Sequence, residues 1–442
     1  MVDIAIAGNH ICMADGIRKG VVLIRNGVIA DILDDYPEGT SYDAIYIGDK
    51  VLMPGIIDPH VHINEPGRTH WEGFVTATMA AVAGGVTTLV DMPLNSSPVT
   101  TTAEAFDQKL AAAVMLQADC GFWGGLVPGN TSHIEPLIEK GVLGFKAFLT
   151  HSGIDEFPAV TEDDLRKAMP ILAQHGLPLL VHCELGTLAT TISNPRSYNS
   201  YLQSRPAAWE DEAVALMIRL CEEYQCRVHI VHLSSAGTLS HIQQAKQKGL
   251  PLTVETAQHY LYFNAEDIPD AQPAFKCAPP IREKANNELL WQALQEGIID
   301  FVATDHCPAP PDVKDPECGD LQKAWGGVSS LQFSLPALWT AARQRKIHWS
   351  KLAKWLCEKP AALCGWQNKK GKIARGCQAD LVIWDPQRRF TVNADVIVHK
   401  HRVTPYLNEE LYGVVEQTWL SGEQIYYHGD YLELNKGKII TR

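Results

Sequence analysis

The chain has 442 residues, 46% hydrophobic and 20% charged, a composition that buries a large core and excludes a disordered chain. Acidic residues outnumber basic ones, 51 to 38, for a formal charge of −13. That excess repels phosphate backbones and argues against a nucleic-acid partner. The opening MVDIAIAGNH lacks the basic and apolar regions of a signal peptide. Strand-like runs follow at DIAIAG, GVVLIRNGVIADI and AIYIGDKVLM, and Asn26-Gly27 marks a hairpin turn between two of them. From residue 55 the rhythm changes. Short apolar runs recur at GIIDPHVH, VTTLVDM, CGFWGGL, LGFKAFL, LPLLVHC, RVHIVHL, LPLTVET and IDFVATD. Helix-length segments such as AEAFDQKLAAAVMLQA and WEDEAVALMIRLCEEY lie between most of them. The stretch from Phe74 to Val90 is uncharged but broken by Thr and by Gly84-Gly85, so it reads as a helix and a strand, not a membrane span. The chain closes on β texture again, at GKIARGCQADLVIWD and VVEQTWLSGEQIYYHG.

Apolar strands alternating with helices imply a parallel sheet covered on both faces. Eight units fit a (β/α)8 barrel, here residues 53–366, with a doubly wound open sheet as the alternative; the count of eight and the placing of the polar residues favour the barrel. Strands at one end alone cannot close a core. Residues 1–52 and 367–442 are therefore expected to build one small, discontinuous β-sandwich domain. The 11 cysteines form no Cys-x-x-Cys pair, as expected of reduced thiols in a cytoplasmic protein.

In such a barrel, chemistry sits at the C-terminal ends of the strands. There the sequence places His60 and His62, Lys146, His182, His232 and Asp305. Residues 60 and 62 share one face of a strand. Any one of these residues could be structural. Four imidazoles and a carboxylate on one rim instead match the ligands of zinc-like divalent ions. His229, three residues before His232, is expected to face away from that rim. A lysine beside two dications sheds its proton readily, and a neutral amine can add carbon dioxide to form an anionic, two-oxygen carbamate.

These residues resemble the binuclear centre of the cyclic amidohydrolases, the group of dihydroorotase, hydantoinase and allantoinase. The flanking stretches MPGIIDPHVH, GGVTTLVDMP, GFKAF, VHCE, HLSS, CAPPIR and ATDHCP resemble that family too. The resemblance implies a barrel with a β sandwich, two divalent metal ions per chain, and carboxylated Lys146 as their bridge. Zinc is the first choice; manganese, cobalt and iron are compatible. It also implies that Asp305 acts as ligand and general base, and that the chain forms a homo-oligomer, with a tetramer favoured. Dihydroorotases carry Arg, Asn, Asn and His where this chain has Asn64, Leu94, Ala278 and Ala309. A carboxylate substrate would lose its cationic clamp. The stretches HINEPGRTHWEG, MPLN and KAWGG instead resemble the allantoinase branch. The implied reaction is hydrolysis of the cyclic amide of allantoin to allantoate. Asn64 and Asn95 are the candidates for its ureido group, and backbone at Ala278 for its ring amide. A hydantoinase-like or dihydroorotase-like cyclic amidase is the alternative.

Overall fold

The computed structural model describes residues 4–35, 44–186 and 192–442. Four strands open the chain: β1 (Ile4–Met13), β2 (Gly16–Arg25), β3 (Val28–Leu33) and β4 (Ala44–Pro54). The barrel strands follow: β5 (Ile56–Val61), β6 (Val86–Asp91), β7 (Asp119–Phe122), β8 (Gly124–Gly125), β9 (Phe145–Phe148), β10 (Leu179–His182), β11 (Val228–Ile230), β12 (Leu252–Ala257) and β13 (Phe301–Ala303). The chain ends with β14 (Leu381–Thr391), β15 (Glu410–Leu420), β16 (Glu423–Tyr427) and β17 (Asp430–Tyr431).

Each of the eight apolar runs supplies one position of a parallel barrel; β7 and β8 are one position interrupted at Trp123. The ring closes where His62 N–H donates to His306 O at 2.8 Å. Behind that seam Thr304 Oγ1 donates to the Asp58 carboxylate at 2.5 Å. The connecting helices carry local signals. Glu162–His175, for example, starts in a capping box between Thr161 and Asp164 and stops at Gly176 in the left-handed region.

The two chain ends form one eight-stranded sheet in the order β17-β16-β15-β14-β4-β1-β2-β3. The expected sandwich is thus a single sheet whose two arms share a core. Ile6, Val22, Ile24 and Ile29 from one end pack with Leu381, Ile383 and Trp419 from the other. Strand β14 alternates strictly: Leu381 and Ile383 enter that core, whereas Val382 and Trp384 join the barrel cluster. A buried lysine ties the two units together. Lys370 Nζ donates to Asp119 in β7 at 2.7 Å, to Asp380 ahead of β14 at 2.5 Å and to Thr88 at 3.1 Å.

Candidate metal centre and active site

The six rim residues expected to bind metal are all buried and converge on one point. His60 and His62 leave the end of β5, and their Nε2 atoms lie 3.2 and 3.5 Å from Asp305 Oδ1. His182 ends β10, and its Nδ1 is 3.0 Å from His232 Nε2. The His60 and His232 rings are 5.3 Å apart. Lys146 in β9 points its Nζ over the Phe148 ring, 4.8 Å from the centroid, and Phe148 stacks on His182. Ligand atoms of His60, His232 and Asp305 lie within 4.8 Å of one another.

Two of these side chains come from strained backbone. His232 has φ +39° and Asp305 φ +46°, in the left-handed region that non-glycine residues seldom adopt. Both lie just past a strand end, at β11 and β13, where the chain turns the side chain back over the barrel mouth.

Burial sets the protonation states. It pushes Lys146 down to about 8, against the pull of Asp305 and Glu255. It drives His62 down to about 4 and lowers His182 and His232 as well. Burial also pushes the Asp305 carboxyl up, but His60, His62 and His232 outweigh it and hold the group well below the usual carboxylate range. His60 Nε2 and Lys146 Nζ are buried without a hydrogen-bond partner. Imidazoles, a carboxylate and a buried amine are the donor set that divalent cations accept once those groups are deprotonated.

The centre forms the floor of a cavity of about 490 Å³. Its walls include Asn95, Ala278, Tyr201, Arg205, Lys276 and Trp325. Of the three residues expected to bind substrate, Asn95 and Ala278 face this cavity. Asn95 Nδ2 is 3.3 Å from His62 Nδ1 and 3.6 Å from Cys307 Sγ. Asn64 is not part of the wall. It sits fully buried behind the mouth, with φ +67° and its Nδ2 donating to Pro308 O at 3.3 Å. Trp71 and Trp325 meet edge to face at 4.8 Å above the site.

Three features escape a reading of strand ends alone. Glu184 Oε2 accepts from His182 Nε2 at 2.7 Å and is itself held by Arg205. Glu255 in β12 accepts from His60 Nδ1. His229, expected to face away, points into the barrel one layer below the rim, where its Nε2 meets Glu255 Oε2 at 3.0 Å. Strand alternation fails as a guide because β11 ends at Ile230 and the positive φ at His232 resets the direction. The short sequences VHCE and TVET contain both carboxylates, but nothing in them separates a ligand's partner from an ordinary strand-end acid.

Comparison with known proteins decides the family. The sequence matches the amidohydrolase family over residues 51–425. The chain belongs to the amidohydrolase family. This amidohydrolase is 44% identical to an allantoinase of Streptomyces avermitilis, over 100% of this chain and 99% of that protein. It is 41% identical to an allantoinase of Arabidopsis thaliana, with 96% and 88% covered. An allantoinase of Saccharomyces cerevisiae is 38% identical, with 96% and 95% covered. In shape it is similar to an L-hydantoinase from Arthrobacter aurescens, with TM-score 0.95, 30% identity and full coverage of both chains. No helix among its described residues is long and apolar enough to cross a membrane.

Proposed function

We propose that this amidohydrolase opens the cyclic amide of allantoin to give allantoate. The observation that carries the reading is the 38–44% identity, over almost the whole chain, to allantoinases of a bacterium, a plant and a yeast. His60, His62, Lys146, His182, His232 and Asp305 would hold two divalent ions, zinc first, with Lys146 carboxylated as the bridge. When bound, those ions supply Lewis-acid polarisation of the scissile carbonyl and acidify the attacking water. Asp305 does the proton work: its ionised Oδ1 takes the proton of the attacking water and returns it to the leaving ring nitrogen. Its place beside His60 and His62 Nε2 holds that oxygen toward the centre. The Asn95 amide offers donors and an acceptor to the ureido group, and backbone at Ala278 faces the ring amide. Asn64, bonded to Pro308 O, shapes the loop after His62 from behind. Phe148 and Trp325 exclude water from the wall.

Substrate charge supports the same choice. Apart from Lys146, three cations line the cavity: Arg205, Lys276 and Lys323. Arg205 is committed to Glu184, Lys276 Nζ is held by Gln322 O and Ala324 O at 3.2 and 2.5 Å, and the exposed Lys323 pairs with Asp320 at 3.7 Å. A carboxylate substrate would have to draw one of them away, whereas neutral allantoin need not. The test is hydrolysis of allantoin, dihydroorotate and hydantoin side by side with metal supplied. We expect kcat/KM for allantoin to exceed that for dihydroorotate by at least roughly 10³. A better rate on dihydroorotate or a 5-substituted hydantoin overturns the substrate while leaving cyclic-amide chemistry in place. The likeness in shape to a hydantoinase makes that second outcome the alternative reading. Boundaries at 52/53 and 366/367, a homotetramer and a cytoplasmic location complete the proposal, the last supported by cysteines that are free among the described residues.

A further inference from the structure

Glu184 and Glu255 are both buried, and both face a ring nitrogen of a rim histidine. They differ in what stands behind them. Glu184 is paired with the guanidinium of Arg205 through two contacts. Among the described residues, the ion pairs of Glu255 are with His60 and His229 only. Three donors converge on its two oxygens. His60 Nδ1 and the backbone N–H of His232, at 3.3 Å, reach Oε1; His229 Nε2, at 3.0 Å, reaches Oε2. An ionised carboxylate only accepts, so both imidazoles must present N–H to it. His60 then carries its proton on Nδ1 and keeps the Nε2 lone pair, which is the atom facing Asp305. His229 carries its proton on Nε2, so its Nδ1 accepts from Thr253 Oγ1 at 2.8 Å. The ring of His229 is fixed by stacking on Phe301, at 5.2 Å and 6°.

We propose that Thr253, His229 and Glu255 form a positioning relay that sets the tautomer and aim of His60 and fastens the strained backbone of His232. One carboxylate thereby orients two of the residues assigned as metal ligands, and His229 is the group that keeps it in place. This rests on the reading of His60 and His232 as metal ligands. It assigns His229 a role three residues away from the rim set, without contact to substrate.

The variants are His229→Phe, which keeps the stack on Phe301 and removes both ring nitrogens, His229→Gln, whose amide can still donate to Glu255, and Thr253→Val. Three quantities are read: zinc affinity by competition with a chelator, the visible absorption bands of the cobalt-loaded protein, and unfolding of the metal-stripped chain. We expect His229→Phe to weaken metal binding about 10–100-fold, the usual effect of losing such a partner, and to shift the cobalt bands. His229→Gln should recover most of both, and Thr253→Val should show a smaller change in the same direction. Should His229→Phe fail to fold, Thr253→Val and His229→Gln decide. Native affinity and native cobalt bands in Thr253→Val and in every His229 variant that folds overturn the relay. So does a His229→Gln protein as impaired as His229→Phe. If the unaltered chain itself takes up no metal, the ligand assignment has failed, and with it the premise.

Discussion

Lys146 is a fully buried amine with no hydrogen-bond partner, pushed down to about 8 by burial. Such a group is costly as an ammonium and available as a nucleophile toward carbon dioxide. Lys146→Ala should be inactive, and a short carboxylic acid added to the assay should restore part of the rate by occupying the same place. Lys146→Arg should not be rescued by growth in carbon dioxide, because guanidinium stays protonated. An intact-mass measurement showing unmodified lysine in a fully active, metal-loaded protein would refute the bridge. Asp305 invites a separate test. Asp305→Asn keeps an oxygen at the centre but accepts no proton, so turnover should fall by roughly 10²–10⁴ with metal largely retained. Near-native turnover would leave Asp305 as a ligand only.

At the scale of elements, the loop that follows β5 depends on a buried pair in its neighbour. Asp91 ends β6; its Oδ1 accepts from Ile63 N–H at 2.9 Å, between His62 and Asn64, and its other oxygen holds Lys109. Lys109→Met would leave Asp91 buried without a cation. Stability in urea should fall by about 3–5 kcal/mol, and the double variant with Asp91→Asn should recover part of it because no charge remains. A single variant as stable as the parent would show that Asp91 does not need its lysine. The eight barrel strands were legible because continuous apolar runs are what a doubly covered parallel sheet demands. The rim residues were legible because they end those runs. What lay hidden depends on contacts between strands distant in sequence. Glu255 reaches His60 across 195 residues, and no local pattern records that. His229 departs from its expected direction because period-two alternation holds only within a strand, and His232 lies beyond the end of β11. Asn64 resembled a wall residue by position, but its left-handed backbone goes with an amide bonded to Pro308 O.

For the whole molecule, the joint between sheet and barrel runs through Lys370 and its two carboxylates, Asp119 and Asp380. Lys370→Met should cost about 3–5 kcal/mol at neutral pH, since two buried anions would face each other uncompensated. The sign of the pH dependence follows. Burial already pushes Asp119 above its ordinary value, even with Lys370 beside it. Without the lysine, the folded form takes up a proton more readily than the unfolded one. Acidification through that raised value therefore restores stability to the variant. Urea titrations at two pH values, near 7 and near 5, would show the deficit shrinking; an unchanged deficit would remove the triad from the joint.

The order of strands in the eight-stranded sheet has a consequence for synthesis. Strand β4 lies between β1 and β14, and β14 is made only after the whole barrel has been translated. At about 5–20 residues per second, the roughly 300 intervening residues take about 15–60 s. Throughout that interval Leu52, Ile24 and Ile29 wait without the C-terminal strands that cover them in the finished protein. A chain that ends before Leu381 would hold the barrel beside an open, apolar half-sheet, and that surface is what a chaperone would find to bind.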